Sequence, residues 1–431
     1  MGHTVIIGNG ITGITAAITL RKLRPQERIT IISGETPYPI ARTAFMYVYM
    51  GQLRSQHLQT HEPWFWKENQ LDLLFARVQK LHPAEKTMAL ENGETLAYDQ
   101  LLLATGSVYR TLPCPGIDAS GVHGLYSFQD LTQIEEATKG IKSAVLVGGG
   151  LIGVELAEML RCRGISVTMF IREKHYWGSN LPPEEANLIT AHLQHQGVQL
   201  LFQTQIAEVL SDAAGKVKAV KTTAGQEIPC EFVGLAIGAQ PSIELAKEAG
   251  LETQMGILVN EFLETSQPGI YAAGDCAQFK NPKTGHPAVE QLWYTGRMQG
   301  ETVAHTLSGH KTAYERGVWF NSAKFFEVEY QSYGQVPAVI PPDTESLLWQ
   351  EPKSNRSIRI YFEKETEAVT GFNLLNVRFR QEVCERWIKE KSTLETVLAQ
   401  LKQAAFDAEF HRLPLSALFT VYNQYRRQPA Q

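Results

Sequence analysis

The sequence has few cysteines, no excess of basic charge and no long apolar run. Its five cysteines are widely separated and form no CxxC pair, so neither a disulfide framework nor a zinc or iron–sulfur site is indicated. The net charge of −5 and the scattered basic residues argue against nucleic-acid binding. No apolar run reaches the ~18 residues of a membrane span. Because the first strand is predicted to begin at Thr4, we expect no signal peptide, no stable membrane insertion and a cytoplasmic location.

What the sequence does contain is two glycine-rich motifs. The first is Gly8-Asn9-Gly10-Ile11-Thr12-Gly13, and the second is Gly148-Gly149-Gly150-Leu151-Ile152-Gly153. Each follows a predicted strand (Thr4 to Ile7, Ala144 to Val147) and precedes a predicted helix that runs to Leu23 or Arg161. In such a motif the glycines allow a tight turn, and the backbone approaches a pyrophosphate at the helix N-terminus. Two motifs therefore predict two dinucleotides bound by one chain.

Acidic and small residues elsewhere fit the same interpretation. Glu35 follows a second predicted strand, Ile29 to Ile32, and is placed where the ribose of the first dinucleotide needs an acceptor. The alternative is a solvated loop acid. The run Tyr98 to Gly106 predicts a buried strand that ends in a small-residue turn beside a cofactor. A second turn of this kind ends at Asp275, whose carboxylate is suited to hydrogen-bond a polyol chain.

The last third of the chain, from about Tyr314, lacks such motifs and differs in composition. Its apolar runs predict strands at Phe325 to Tyr333, Ser357 to Phe362 and Ala368 to Leu375, and helices at Arg380 to Glu390 and Thr393 to Lys402. This pattern indicates an α+β domain. The apolar and aromatic segment Leu413 to Tyr425 is expected to pack on its own domain; docking on a partner or a membrane surface is the alternative.

The order of the motifs resembles that of the pyridine nucleotide-disulfide oxidoreductase superfamily. The residues that carry the resemblance are the two glycine motifs, Ala104-Thr105-Gly106, Glu155, Ile237-Gly238-Ala239-Gln240-Pro241 and Ala273-Gly274-Asp275. More narrowly, the chain resembles the single-FAD branch of rubredoxin, ferredoxin and nitrite reductase flavoproteins. The resemblance implies an α/β protein with two Rossmann-like, three-layer β/β/α nucleotide-binding domains and a C-terminal α+β interface domain. Its expected domains are FAD-binding (1–111 and 246–313), NAD(P)-binding (112–245) and C-terminal (314–431), the last commonly a dimerisation domain.

The resemblance also implies which residues hold each cofactor. For FAD these are Gly8, Gly10, Ile11, Thr12, Gly13, Glu35, Arg42, Thr43, Val78, Ala104, Thr105, Gly106, Gly274, Asp275, Gln291, Leu292 and Trp293. The backbone N–H groups of the last three approach the edge of the flavin where negative charge accumulates. For the nicotinamide nucleotide they are Gly148, Gly150, Leu151, Ile152, Gly153, Glu155, Arg172, Lys174 and Gly238.

Three residues, two of them from these sets, are candidate catalytic residues by the same resemblance. Glu155 matches an acid near the nicotinamide and the flavin, with an exposed acid in the first helical turn as the alternative. Arg42 matches an arginine that faces the flavin or its phosphates. Tyr47 stands where the reductases of aromatic-ring dioxygenases have a lysine.

The chain departs from the thiol-dependent members of this family. They carry a redox cysteine in the segment that corresponds to Arg42 to Tyr47, whereas here no cysteine occurs before Cys114. Cys276 is interpreted as a small buried apolar residue. The resemblance therefore implies hydride transfer from NAD(P)H to FAD, with electrons passed to a small redox protein such as rubredoxin or ferredoxin. Three alternatives remain. They are a peripheral type II NADH:quinone oxidoreductase, anchored by Leu413 to Tyr425, a disulfide or peroxide reductase that uses a distant cysteine, and an interaction protein like apoptosis-inducing factor.

The residues that follow the predicted strand Val167 to Ile171 indicate whether the chain prefers NADH or NADPH. Members that prefer NAD usually carry an acid at about the position of Ile171, and this chain has none there. Arg172 and Lys174 are suited to pair with a 2′-phosphate, whereas the negative charge of Glu173 repels such a phosphate. The segment favours NADPH by a small margin, with a solvated turn of mixed charge as the alternative.

Overall fold

The computed structural model describes residues 2–283, 285–352, 354–407, 409 and 413–427. It forms two compact units. The first comprises Met1–Leu112, His123–Lys139 and Ile237–Arg316, and the second comprises Pro113–Val122, Gly140–Ala236 and Gly317–Gln431. Residues 123–139 thus belong to the first unit, although the sequence analysis placed them with the NAD(P)-binding domain. The assignment of three functional domains stays a prediction.

A parallel five-stranded sheet forms the centre of the first unit. Its strands lie in the order Ile270–Ala272, Gln100–Leu103, His3–Ile7, Arg28–Ser33 and Leu71–Phe75. The central strands are runs of Val, Ile and Leu because both faces of such a sheet are covered; Val5, Ile6 and Leu102 are fully buried. The helices Ile11–Leu23 and Trp293–Leu307 pack on each other. The predicted ends of the first strand and first helix, Ile7 and Leu23, are confirmed.

Shorter elements complete this unit. The remaining strands are Val78–His82, Thr87–Leu90, Thr95–Ala97, Ser107–Tyr109, Ala239–Pro241, Ile257–Val259 and Ala277–Phe279. The remaining helices are Arg42–Ala44, Phe45–Tyr49, Ser55–Leu58, Pro63–Glu68, Phe128–Ala137, Glu244–Glu248 and Gly274–Cys276. A further short strand, Val122–Gly124, falls where the chain passes from one unit to the other.

The second unit repeats the strand–helix arrangement. Four of its parallel strands lie in the order Val198–Phe202, Ser166–Ile171, Ser143–Val147 and Phe232–Leu235. Its helices in this part are Leu151–Cys162 and Pro183–His195, and an antiparallel sheet is formed by Ile206–Ser211, Val217–Thr222 and Glu227–Pro229. The predicted strand Ala144 to Val147 and the helix to Arg161 each differ by one residue from the observed bounds.

The C-terminal part of this unit contains a five-stranded antiparallel sheet. Its strands follow the order Phe320–Phe325, Val328–Gly334, Val369–Leu375, Ser357–Glu363 and Thr344–Gln350. The helices Gln381–Lys389, Leu394–Gln400, Leu401–Ala404 and Leu415–Arg427 follow. Trp387, Phe372 and Phe379 are almost completely buried in the shared core. The predicted α+β character of this region is confirmed.

The predicted single strand from Phe325 to Tyr333 is wrong. The chain forms a hairpin there, in which Phe325 pairs with Val328 across a two-residue loop. Phe326 in that loop has φ of +54°, a conformation that glycine or asparagine usually supplies in such turns. The apolar Phe326 conceals the turn in the sequence. The strand Thr344–Gln350 was also missed, because its polar residues interrupt the apolar pattern.

The segment Leu413 to Tyr425 packs on its own domain, as predicted. Leu418 is completely buried. The ring of Tyr425 lies 5.7 Å from the ring of Phe362, and its hydroxyl bonds to Glu345. Across the residues that the structure describes, no helix combines the length and apolarity required to cross a membrane.

Candidate functional site

The two glycine motifs fold into loops of the same shape. Gly8 and Gly148 have φ of +112° and +110°. A Cβ on Gly13 would lie 2.0 Å from the carbonyl oxygen of Gly8, and a Cβ on Gly153 would lie 2.3 Å from that of Gly148. Real Cβ atoms do not approach so closely, so each loop requires glycine at these points.

Each loop leads directly into a helix whose first backbone N–H groups are available to bind a ligand. The N-cap residues, Gly10 and Gly150, have extended backbones and provide no side-chain cap. The first N–H groups of a helix have no partner within the helix and carry a partial positive charge. Both loops are therefore suited to bind an anion such as a pyrophosphate.

A cavity of about 1050 Å³ lies beside the first motif, entirely within the first unit. Typical ligand pockets reach roughly 1,000 Å³, so this cavity has room for a ligand as large as a dinucleotide. It brings together most of the residues predicted for FAD, namely Gly8, Gly10, Ile11, Thr12, Glu35, Arg42, Thr43, Val78, Ala104, Thr105, Gly106, Asp275, Gln291, Leu292 and Trp293.

Three other predicted residues are placed differently. Gly13 and Gly274 shape the backbone around the cavity rather than line it: a Cβ on Gly274 would lie 2.3 Å from the hydroxyl of Thr12. Tyr47 is half-buried in the helix Phe45–Tyr49 and is not among the lining residues of the described cavity. Its candidate catalytic role has no support from this geometry.

Arg42 and Glu35 form an ion pair inside this cavity. The backbone N–H of Phe128 donates to the second Glu35 oxygen at 2.9 Å. The Nε of Arg42 is buried and has no partner among the described residues. A buried donor without a partner in the chain calls for a polar group from outside it, and guanidinium groups bind phosphates well. These residues fit the phosphate and ribose of FAD.

Asp275 provides a second polar point on the cavity wall. Its Oδ2 accepts hydrogen bonds from the hydroxyls of Tyr126, at 3.0 Å, and Ser107, at 3.3 Å. Burial raises the pKa of Asp275, while these two donors and the charge of Arg42 oppose that rise. Neither Tyr126 nor Ser107 was identified from the sequence. Ser107 directly follows the motif Ala104-Thr105-Gly106 but is not part of it, and Tyr126 lies outside the motifs, in the segment assigned to the other domain.

Glu155 lies in the helix Leu151–Cys162 of the second unit, behind the second motif. Burial, together with the nearby charge of Glu158, raises its pKa to about 7. Glu158 itself pairs with Lys324, at 2.8 Å. Glu155 is therefore half-buried rather than a fully exposed helix acid, and near neutral pH it is able to exchange a proton.

Replacement of Glu155 by glutamine is expected to raise the Tm at pH 8 and to change it little at pH 5. The pKa of Glu155 in the folded chain, about 7, lies above the ordinary value of 4.5. The protonated carboxyl therefore contributes its full stabilisation of the fold below pH 4.5, and this contribution is lost as the pH rises through 7. The rise in pKa from 4.5 to about 7 corresponds to about 3 kcal/mol in the free energy of unfolding. Thermal unfolding at both pH values checks this, with the exposed Glu395→Gln as control. Equal changes at both pH values would contradict it.

The residues predicted to select the nucleotide are exposed. Arg172 and Lys174 follow the strand Ser166–Ile171. Arg172 is 75% exposed and pairs with Glu173 at 3.1 Å. Gly238, with φ of +106°, belongs to the first unit. The preference for NADPH stays a prediction.

Two glycine loops suited to dinucleotides, and a large cavity whose mainly apolar wall carries a few charged groups, are the features of a protein class that binds a flavin and a pyridine nucleotide. Residues 2–300 match the sequence model of the family described as pyridine nucleotide-disulphide oxidoreductase, and the chain belongs to that family. It is an FAD-dependent NAD(P)H oxidoreductase, which confirms the predicted family, fold class and enzyme class.

Several relatives share most of the chain. It is 30% identical to a rubredoxin-NAD(+) reductase of Pseudomonas putida, over 72% of this chain and 80% of that protein. It is 32% identical to the ferredoxin–NAD(+) reductase component of a biphenyl dioxygenase system of Paraburkholderia xenovorans, over 70% of this chain and 74% of that protein. A solved structure of an NAD-dependent persulfide reductase from A. fulgidus superimposes with a TM-score of 0.84 at 25% identity, over 98% of this chain and 84% of that one.

Proposed function

We propose that this chain passes electrons from NADH or NADPH, through FAD, to a small one-electron redox protein of the rubredoxin or ferredoxin type. Relatives named as rubredoxin and ferredoxin reductases support this acceptor class. The observation that carries the proposal is that none of the described residues lining the cavity is a cysteine. FAD, when bound, supplies the chemistry that converts hydride transfer into single-electron transfer.

Cys276 is the cysteine of the first unit, and its environment makes it inert. Its side chain is completely buried, and its Sγ donates to the carbonyl oxygens of Leu103 and Ala273, both at 3.4 Å. Burial raises its pKa, so the thiol stays protonated and is a poor nucleophile. The other cysteines belong to the second unit, and all five are free thiols. Among the described residues that line the cavity there is no cysteine, so the cavity wall itself offers no sulfur for a disulfide relay.

The residues around the cavity suit a cofactor that becomes more negative on reduction. Arg42 places its guanidinium among the lining residues, where it compensates phosphate charge. The helix Trp293–Leu307 begins at the cavity wall, and its N-cap, Leu292, forms no side-chain cap. Its first N–H groups therefore remain for the ligand and stabilise negative charge there.

A variant with all five cysteines replaced by serine or alanine is expected to retain the wild-type rate of NADH-dependent reduction of a rubredoxin or ferredoxin. Since FAD is the single redox centre in this proposal, anaerobic titration should consume about two electrons per FAD. The rate and the titration are measured together, and the Tm confirms that the variant is folded. Uptake of about four electrons, or a lost rate in the folded variant, would contradict the proposal.

The acceptor class is tested by steady-state rates with rubredoxin, ferredoxin, quinone, nitrite and disulfides, each with NADH and NADPH. The proposal requires the highest kcat/KM for a one-electron protein carrier. A quinone or a disulfide as the best acceptor would overturn it, and so would slow turnover with every acceptor.

The cellular setting is part of the proposal. Five free thiols in one chain suit a reducing compartment such as the cytoplasm. Homodimerisation through the C-terminal domain stays a prediction, which analytical ultracentrifugation tests.

A further inference from the structure

Tyr126 lines the flavin cavity, and its hydroxyl is fully used in hydrogen bonds. The hydroxyl donates to Oδ2 of Asp275 at 3.0 Å and accepts from the backbone N–H of Ser107 at 2.8 Å. A tyrosine hydroxyl has one proton to donate, and here the carboxylate receives it. The buried hydroxyl thus joins two chain segments that are far apart in the sequence.

The hydrogen-bond network extends to a third segment of the cavity wall. The Ser107 hydroxyl also donates to Oδ2 of Asp275, at 3.3 Å, and accepts from the side-chain amide of Gln291 at 2.7 Å. Both bonds to the carboxylate fall on Oδ2. Within the described part of the chain, no hydrogen bond to Oδ1 is present, so this oxygen remains for a ligand hydroxyl.

The ring of Tyr126 contacts the other charged group of the cavity. The guanidinium carbon of Arg42 lies 5.5 Å from the centroid of this ring, a cation–π distance. The backbone of the tyrosine is held as well, because Asp130 accepts from the N–H groups of Tyr126 and Ser127 at 3.0 and 2.7 Å. Tyr126 is therefore held in place between the carboxylate of Asp275 and the guanidinium of Arg42, which line the same cavity.

We propose that Tyr126 is a positioning residue for FAD, which aims the carboxylate of Asp275 through its hydroxyl and the guanidinium of Arg42 through its ring. This inference rests on the proposed function, because it requires FAD in this cavity. Groups that are held in their binding geometry before the ligand arrives lose less freedom on binding, and affinity rises accordingly.

The test is the dissociation constant of FAD for the deflavinated protein, measured by quenching of flavin fluorescence. Tyr126→Phe keeps the ring over Arg42 and removes the hydroxyl, so we expect the dissociation constant to rise about tenfold, as for a lost hydrogen bond to a charged group. In an Asp275→Asn background the same substitution should have little further effect, because it acts through that carboxylate. Ser107→Ala, which removes the weaker donor, should weaken binding in the same direction by a smaller factor.

Tyr314→Phe is the matched control. The Tyr314 hydroxyl also donates to a buried carboxylate, Oε2 of Glu290 at 2.7 Å, but this tyrosine does not line the described cavity. Loss of the Tyr314 hydroxyl should lower the Tm and leave the FAD dissociation constant within about twofold of wild type. Unchanged FAD affinity in Tyr126→Phe would overturn the inference, as would an equal loss with and without the Asp275 carboxylate. A wild-type protein that binds no FAD would instead overturn the proposed function.

Discussion

Gly150→Ala is expected to lower kcat/KM for NADH by one to two orders of magnitude, with FAD content and Tm unchanged. Gly150 has φ of −76°, and a Cβ there would meet nothing within 4 Å, so the folded chain accepts alanine. The same Cβ would occupy the space in which a pyrophosphate approaches the helix N-terminus. Each hydrogen bond lost to a charged group costs roughly 1.5–3 kcal/mol, which corresponds to about ten- to a hundredfold in rate.

Two further glycine variants make this result specific. Gly10→Ala changes the equivalent cap of the first motif, where the Cβ would lie 3.1 Å from a guanidinium nitrogen of Arg42, and should reduce FAD content instead. Gly153→Ala places its Cβ 2.3 Å from the backbone oxygen of Gly148 and should lower the Tm itself. Steady-state kinetics, flavin absorbance and thermal unfolding separate the three outcomes. An unchanged kcat/KM in Gly150→Ala would show that the second motif does not bind the nicotinamide nucleotide.

Arg172→Ala is expected to reduce kcat/KM for NADPH about tenfold or more and to leave the value for NADH nearly unchanged. The 2′-phosphate occurs in NADPH alone, and a charge-assisted bond to it contributes roughly 1.5–3 kcal/mol. In the structure Arg172 already pairs with Glu173 at 3.1 Å, but this pair is exposed. Exposed ion pairs contribute about 0–1 kcal/mol, so the phosphate should displace the carboxylate.

Glu173→Gln is the informative companion. It releases Arg172 from its pair and removes a charge that repels the phosphate, so kcat/KM for NADPH should rise several-fold while that for NADH stays constant. Initial rates with both nucleotides, for wild type and both variants, provide the comparison. Equal losses with both nucleotides in Arg172→Ala would place the guanidinium on the adenine ring. A wild-type enzyme with a wide preference for NADH would refute the role of Arg172 at once.

The parts of the site that were predictable are those encoded by contiguous residues. Each dinucleotide loop is a strand, a glycine turn and a helix in immediate succession, and its steric requirements act between residues five positions apart, as between Gly8 and Gly13. Arg42, Glu35 and Asp275 were found because they stand at fixed places relative to family motifs. All three line the same cavity.

The residues that were missed act through partners far away in the sequence. Tyr126 is recognised by its bond to Asp275, 149 positions further on, and no local pattern distinguishes it from a core tyrosine. A buried ion pair of the second unit is similar: Arg359 donates to both oxygens of Glu185 at 2.7 and 2.8 Å. The turn at Phe326 was missed for another reason, because an apolar residue occupies a backbone conformation that usually requires glycine.

The sequence by itself determined the family, the two nucleotide-binding loops, the α/β order of elements and the lack of a cysteine before Cys114. These depend on local backbone sterics and on residue identity, which are read directly from the chain. Only the tertiary structure decided that residues 123–139 join the unit that contains the first glycine motif, that Tyr47 is not among the residues lining the cavity and that Tyr126 bonds to both Asp275 and Ser107. Those outcomes depend on burial and hydrogen-bond pairing between distant segments, which arise only when the chain has folded.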